Sequence, residues 1–200
     1  MAKRKTKIKG LVYGIGINDA NVIVNRGGKQ ITSYHVWQDI LYRCHTAEGN
    51  ADCPSYVGCS ICEEWKRFSV FKRWFDENYV EGYNLDKDIL EKRNKVYDPA
   101  HCVFVPQEIN LLLCKANRIR GKYPIGVSYH GQCNKFTASF YANNKNKYLG
   151  LYSTPEEAFN AYKEAKEAHI KDVAQKYYND GKISERVYNA LMRYEVEITD

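Results

Sequence analysis

The stretch LDKDILEKRNKVYDPAHCVF, residues 85–104, sets Asp86 and Asp88 on one side of a polar run and His101 on the other, just before the apolar CVFVP. Carboxylate oxygens suit hard divalent cations such as Mg²⁺ or Mn²⁺. A neutral imidazole can complete the set while water and a substrate phosphate fill the remaining positions. An ion so held would polarise a phosphodiester and stabilise the departing oxyanion. The bland reading of the same residues is a solvated loop. A hairpin followed by a helix would bring the two arms together, and the spacing fits that arrangement.

A second candidate cluster lies upstream. Cys44, Cys53, Cys59 and Cys62 fall within nineteen residues, and CSIC is a Cys-x-x-Cys. Four thiolates could hold structural zinc tetrahedrally. Against this, CSIC runs into an apolar pattern without a Gly-rich knuckle, and Cys44 sits on the buried stripe of a helix, where reduced Cys is a small hydrophobe. Zinc is therefore the less favoured reading. Cys102, Cys114 and Cys133 show no ligand pattern. GIGIND lacks the third glycine of a dinucleotide loop, and no Walker loop or hydrolase serine motif occurs.

These residues need elements to position them. Around Arg26-Gly27-Gly28 the chain alternates loosely, which predicts two short strands about a Gly-Gly turn. YHVWQDILYRC places Val36, Trp37, Ile40, Leu41 and Cys44 at helical spacing, and CEEWKRFSVFKRWFDENY repeats the pattern through Trp65, Phe68, Phe71 and Phe75. We read these Trp and Phe side chains as core rather than base-stacking platforms. TAEGNADCPSYVG between them reads as loop. Residues 84–113 read as strand, strand, then a helix opening at Pro106, whose missing N–H costs nothing in a first turn. Its inward stripe is Ile109, Leu112 and Leu113.

The second half is clearer. YPIGVSYHG, NKFTASFYA and KYLGLYST are three strand candidates separated by turn-rich GQCN and NNKN. In the middle strand Phe136, Ala138 and Phe140 face one way and Lys135, Thr137, Ser139 and Tyr141 the other. Thr154, Pro155 and Glu157 form a capping box with proline at the first helical position. Ala158, Ala161, Tyr162, Ala165 and Ala168 then make a small-residue stripe that lets the helix lie close on the sheet. SERVYNALMRY predicts a final helix, and an extended tail ends the chain.

The fold class is thus α+β. A basic arm (1–10) precedes a domain with a helical leader (11–114). A basic linker (115–122) leads to a three-stranded antiparallel sheet with one packed helix (123–178), then a C-terminal helix and tail (179–200). Composition sets outer bounds. The hydrophobic fraction of 44% excludes wholesale disorder, and no run of 18 apolar residues is present to span a membrane. MAKRKTKIKG has no apolar core behind it and is not a secretory signal. An odd seven cysteines favours reduced thiols and a cytoplasmic setting. Lys plus Arg number 30 against 24 acidic residues, and the 17 Tyr suit a polyanion ligand whose phosphates are neutralised and whose bases stack.

The order LDKD…YDPAHCVFVPQEIN resembles the His-Asn-His (ββα-metal) endonucleases, particularly the phage homing type, over roughly residues 10–115. The resemblance implies a ββα-metal domain, a Mg²⁺ or Mn²⁺ cofactor and, if phage-encoded, host-cell cytoplasm. It puts Asp86 at the metal-ligand Asp, His101 at the second ligand and Asn110 at the helical Asn. The family's general-base His is Lys87 in this chain. An ammonium with a reference pKa near 10.4 accepts no proton at neutral pH unless strongly desolvated. Three readings follow. Lys87 clamps the scissile phosphate while Asp88 or metal-bound water is the base; Lys87 is itself depressed enough to act; or the site is dead and only binds. Clamping is preferred.

GVSYHGQCNKFTASFYANNKNKYLGLYSTPEEAFNAYKEAKEAHI resembles the plant ethylene-response-factor (APETALA) DNA-binding domain, through Gly126-Val127, Lys135-Phe136, Ala138, YLGLYST and EEAFNAY. That resemblance implies a sheet laid in the DNA major groove, with Ser128, His130, Lys135, Ser139 and Tyr141 on its reading face. The plant domains put Arg and Trp there; this chain offers smaller, less charged groups, so sequence-specific affinity is expected to be lower. The bland alternative is a face that is solvated or packed on the first domain. Lys115, Arg118, Arg120 and Lys122 would lie over the DNA backbone.

Together these features predict a phage-type, metal-dependent DNA endonuclease whose C-terminal domain binds the target. The alternatives are a degenerate nuclease-like protein that binds DNA or a small nucleotide, and a protein-partner module. Oligomeric state is not legible.

Overall fold

The computed structural model describes residues 10–113, 122–142 and 145–200. Its contacts divide the chain into two compact units, Met1–Phe104 and Val105–Asp200. The sequence reading had put the division at 115–122. It falls earlier because the helix after the CVFVP strand packs with the second half: Leu112 and Leu113 line a small cavity of that unit with Tyr162 and Ile170.

The first unit opens with a minimal hairpin, β1 (Asn25–Arg26) and β2 (Lys29–Gln30), on the Gly-Gly turn. Helix α1 (Thr32–His45) turns Trp37, Ile40, Leu41 and Cys44 inward, as the spacing predicts. Helix α3 (Phe68–Asn78) meets it with Phe68, Phe71 and Phe75. Trp37, Trp65, Phe68 and Phe71 are fully buried, each ring contributing roughly 1.5–3 kcal/mol. The indole of Trp37 donates to the Trp65 carbonyl at 2.7 Å, satisfying the one polar atom of that ring. The helical pattern from Cys62 onward is interrupted. Ile17 donates to the Lys66 carbonyl and accepts from Phe68 N–H, which holds Arg67 extended and starts α3 only at Phe68.

Two departures from the sequence reading lie between these helices. Residues expected to be loop form α2 (Ala47–Asp52), because Thr46 Oγ1 accepts from Gly49 N–H at 2.8 Å and caps it. CSIC forms β3 (Ser60–Ile61), which pairs parallel with β5 (Val96–Tyr97). Strand β4 (Tyr83–Asp86) pairs with β6 (Val103–Pro106), whose first two residues close the first unit. Helix α4 (Gln107–Leu112) follows directly.

In the second unit β7 (Val127–His130), β8 (Lys135–Ala142) and β9 (Lys145–Tyr152) form one antiparallel sheet in that order, as expected. Its inner face presents Ala138, Phe140 and Ala142 to Ala158, Phe159 and Tyr162 of α5 (Pro155–Asn179). The capping box is complete: Thr154 Oγ1 accepts from Glu157 N–H at 3.1 Å, and Glu157 Oε2 accepts from Thr154 N–H at 3.3 Å. Helix α6 (Glu185–Met192), capped by Ser184, packs on α5. Among the described residues no helix is long and apolar enough to cross a membrane.

Gly126 enters β7 with φ +77°, and a Cβ there would lie 1.9 Å from the Tyr162 ring. Both left-handed backbone and close approach of the helix demand glycine. Gly126→Ala should destabilise the second unit by roughly 2–4 kcal/mol. Gly131→Ala, where a Cβ meets only one atom at 4.0 Å, should leave the melting curve nearly in place. Thermal unfolding of both variants followed by circular dichroism checks this.

Candidate functional site

Strand β4 ends at Asp86, and the chain must turn there. Asp86 Oδ1 accepts the backbone N–H groups of Asp88 at 2.8 Å and Ile89 at 2.7 Å, so the carboxylate folds the turn over itself. Its other oxygen, Oδ2, takes no hydrogen bond from a described residue. Burial, reinforced by the charge of Asp88, outweighs the two N–H donors and raises the Asp86 pKa.

Lys87 points the other way, into the unit. It is 7% exposed, with Nζ 3.2 Å from Asp88 Oδ2 and 5.7 and 6.0 Å from the ring centres of Tyr56 and Tyr97. Burial disfavours the ammonium, but Asp88 and the neighbouring groups outweigh it and the pKa rises. Neither active role considered for Lys87 fits this geometry. A raised pKa is opposite to what a base needs, and an ammonium enclosed by its own protein is not presented to a phosphate. The clasp across the hairpin is an amide: Asn94 Nδ2 donates to the carbonyls of Lys87 and Val96, both at 2.7 Å.

His101 follows β5 in the turn YDPAHC. Asp98 accepts the backbone N–H groups of Ala100 at 2.8 Å and His101 at 2.9 Å. The same carboxylate holds the His101 ring, with Nδ1 at 2.9 and 2.8 Å from its two oxygens. Nε2 lies 3.0 Å from Glu91 Oε2. Hydrogen bonding to Asp98 outweighs burial and, with the charges of Asp98 and Glu91, raises the His101 pKa. Burial works against the charged Asp98, but the bonds from His101 and Ala100 outweigh it and lower its pKa. Sequence reasoning named Asp86, Asp88 and His101 but missed Asp98, Glu91 and Asn94. An Asp three residues before His101, with Pro99 between, was the available signal for an Asx turn that also orients the imidazole.

The four upstream cysteines do not assemble. Cys44 and Cys59 are buried in the core cluster, and Cys53 and Cys62 are only half-buried. Burial pushes the Cys44 thiol up to about 12 and raises Cys59, Cys62 and Cys102 as well. Among the described residues no group of three or more His, Cys, Asp or Glu is placed to hold a metal ion. Asn110 lies on α4 in the second unit, half-buried. Lys115, Arg118, Arg120 and Cys114 lie outside the described residues; Lys122 is exposed, its Nζ 5.2 Å from the Tyr123 ring centre.

The second candidate surface is the face of the sheet turned from α5. Register pairs Ser128 with Thr137, His130 with Lys135, Ser139 with Tyr148 and Tyr141 with Asn146. Residues directly opposite share a face, so Ser128, His130, Lys135, Ser139 and Tyr141 all lie on it, as the sequence alternation predicts. Tyr148, 61% exposed, joins them. The His130 Nδ1 atom is buried without a hydrogen-bond partner among the described residues.

Comparison with known proteins adds no relative: no family model matches the chain, and neither does any curated protein or solved structure.

The Asp98–His101 pair fixes a pH window. The stability it gives through Asp98 is present above the ordinary carboxylate value of 3.8 and is lost as pH falls through the lowered folded value. That given through His101 is present below 6.5 and is lost as pH rises through the raised folded value. In metal-free protein Asp98→Asn should bring the His101 titration midpoint down towards 6.5. The C2 proton of that ring, followed by NMR, reads it directly; an unmoved midpoint would assign the shift to another group.

Proposed function

We propose that this chain is a metal-dependent DNA endonuclease of the phage homing type, which binds its target through the three-stranded sheet. One observation carries the binding half: five side chains that the sequence assigned to a reading face lie on one face of the sheet, opposite its helix. Exposed Lys135 on that face complements a phosphate backbone. Tyrosine hydroxyls and Ser139 supply further contacts to phosphate and base edges.

For the hydrolytic half, the donor chemistry fits a hard divalent ion. Mg²⁺ is commonly held by one or two protein groups, with water and substrate phosphate completing the shell. Asp86 Oδ2 and His101 Nε2 would hold it. A bound ion would supply Lewis-acid stabilisation of the phosphodiester oxyanion. Asp98 holds the imidazole through Nδ1, the arrangement that orients a metal-ligating histidine through its far nitrogen. Glu91, exposed and already against Nε2, would yield that atom to the ion. Asp88, with one side open to solvent and the other paired to Lys87, is the proton acceptor in this reading. Lys87 holds Asp88 from within and does not touch the substrate.

A second reading, binding without cleavage, is favoured by that same burial of Lys87, since the position of the family's general base holds an enclosed, protonated amine.

Supercoiled plasmid incubated with Mg²⁺ or Mn²⁺ separates the two. Nicking by the wild-type chain should fall at least a hundredfold in Asp86→Ala and His101→Ala, while both variants keep DNA affinity. An uncut plasmid with strong, salt-dependent DNA binding would select the second reading. Absence of affinity for any duplex at low salt would refute both.

A further inference from the structure

We infer that the outer face of the sheet reads thymine methyl groups, so that the target is A·T-rich, with Leu151 as a specificity-determining residue. This deepens the DNA-binding reading above and rests on it.

The starting point is a bulge. In a regular strand residues 148 and 151, an odd number apart, would face opposite sides. Register shifts between Ala138 and Ser139, so that Ala138 pairs with Gly150 but Ser139 with Tyr148. Gly150, at φ +142°, takes up the distortion. Leu149 packs against the core between sheet and helix. Leu151, opposite Thr137, is 40% exposed on the face that also carries Tyr148. A large aliphatic side chain therefore stands in the middle of a polar surface, where the packing of this unit does not require it.

Its neighbours sharpen the point. Ser128 Oγ and Thr137 Oγ1 are hydrogen-bonded to each other at 2.6 Å, and Thr137 Oγ1 also donates to the Ser128 carbonyl at 3.2 Å. These hydroxyls are engaged with one another, which leaves Leu151 and the Thr137 methyl as the apolar part of the row Ser128–Thr137–Leu151. Beyond it stand Ser139 with Tyr148, then Tyr141 with Asn146. No arginine occurs on β7, β8 or β9. Lys135 lies at the turn end, where a cation suits phosphate rather than a central base.

Major-groove chemistry converts this composition into a preference. Guanine is best read by a bidentate Arg or Lys, adenine by Asn or Gln, and thymine by apolar contact with its 5-methyl group. This face provides the last two, through Asn146 and Leu151, and lacks a central cation for the first.

The test uses the full chain and double-stranded DNA. Selection from a randomised duplex pool should enrich A·T-rich sequences. In the selected duplex, replacing thymine by uracil removes only the methyl groups; affinity should fall about fourfold for each methyl contacted. Leu151→Ser should lower affinity for the thymine duplex and bring the thymine-to-uracil ratio close to one, whereas Leu151→Met should retain the ratio. An unchanged melting curve shows that Leu151→Ser still folds. Salt-dependent binding with no thymine-to-uracil difference, or with G·C-rich sequences enriched, would overturn this inference and leave DNA binding intact. No affinity for any duplex would overturn the DNA-binding reading itself.

Discussion

A protonated lysine taken out of water costs several kcal/mol unless its charge is matched and its solvation replaced. Lys87 imposes that constraint on the hairpin of the first unit. Asp88 supplies the opposite charge, the faces of Tyr56 and Tyr97 supply quadrupole attraction, and the carbonyl of Lys87 is tied across the loop by Asn94. Asp86, the preceding residue, spends one oxygen on closing the turn that makes this enclosure possible. The three consecutive residues thus divide their work: one turns the chain, one is buried, and one neutralises it. Any chemistry at this hairpin starts from those commitments.

The enclosure also separates two kinds of polar group. Cys44, Cys59 and Cys102 lie near the ammonium, yet burial keeps their thiols neutral, as small apolar fillers of the core. Asp98 and His101 sit nearer the surface, where hydrogen bonds between carboxylate and imidazole orient both and favour their charged forms. The contrast is one of solvation. Where burial is not matched by an opposite charge or a hydrogen bond the neutral form is favoured, and where such a partner stands close the charged form is.

The second unit solves a simpler problem with one sheet. Its inner face accepts a helix close enough to need Ala138, Ala158 and a glycine at 126, where a methyl group would strike Tyr162. Its outer face is left with hydroxyls, tyrosines and Leu151. Because the same three strands set both faces, the packing that fixes α5 also fixes the spacing of the groups presented outward. At the bulge by Gly150 that spacing departs from simple alternation.

Local periodicity determined much of this molecule: the stripes of α1 and α3, the alternation of β8, and the capping box and proline of α5 are all readable residue by residue. So was the common face of Ser128, His130, Lys135, Ser139 and Tyr141, because alternation and register obey the same period of two. Tertiary structure decided what periodicity cannot express. It turned Lys87 inward although its neighbours are carboxylates, chose Asp98 and Glu91 as partners of His101, ended the first unit at Phe104, and used a bulge to put Leu151 beside Tyr148. The physical reason is common to these cases. Whether a side chain meets water, an opposite charge or a ring depends on segments far away in the chain, such as Tyr56 for Lys87, and those approaches exist only once the cores have closed.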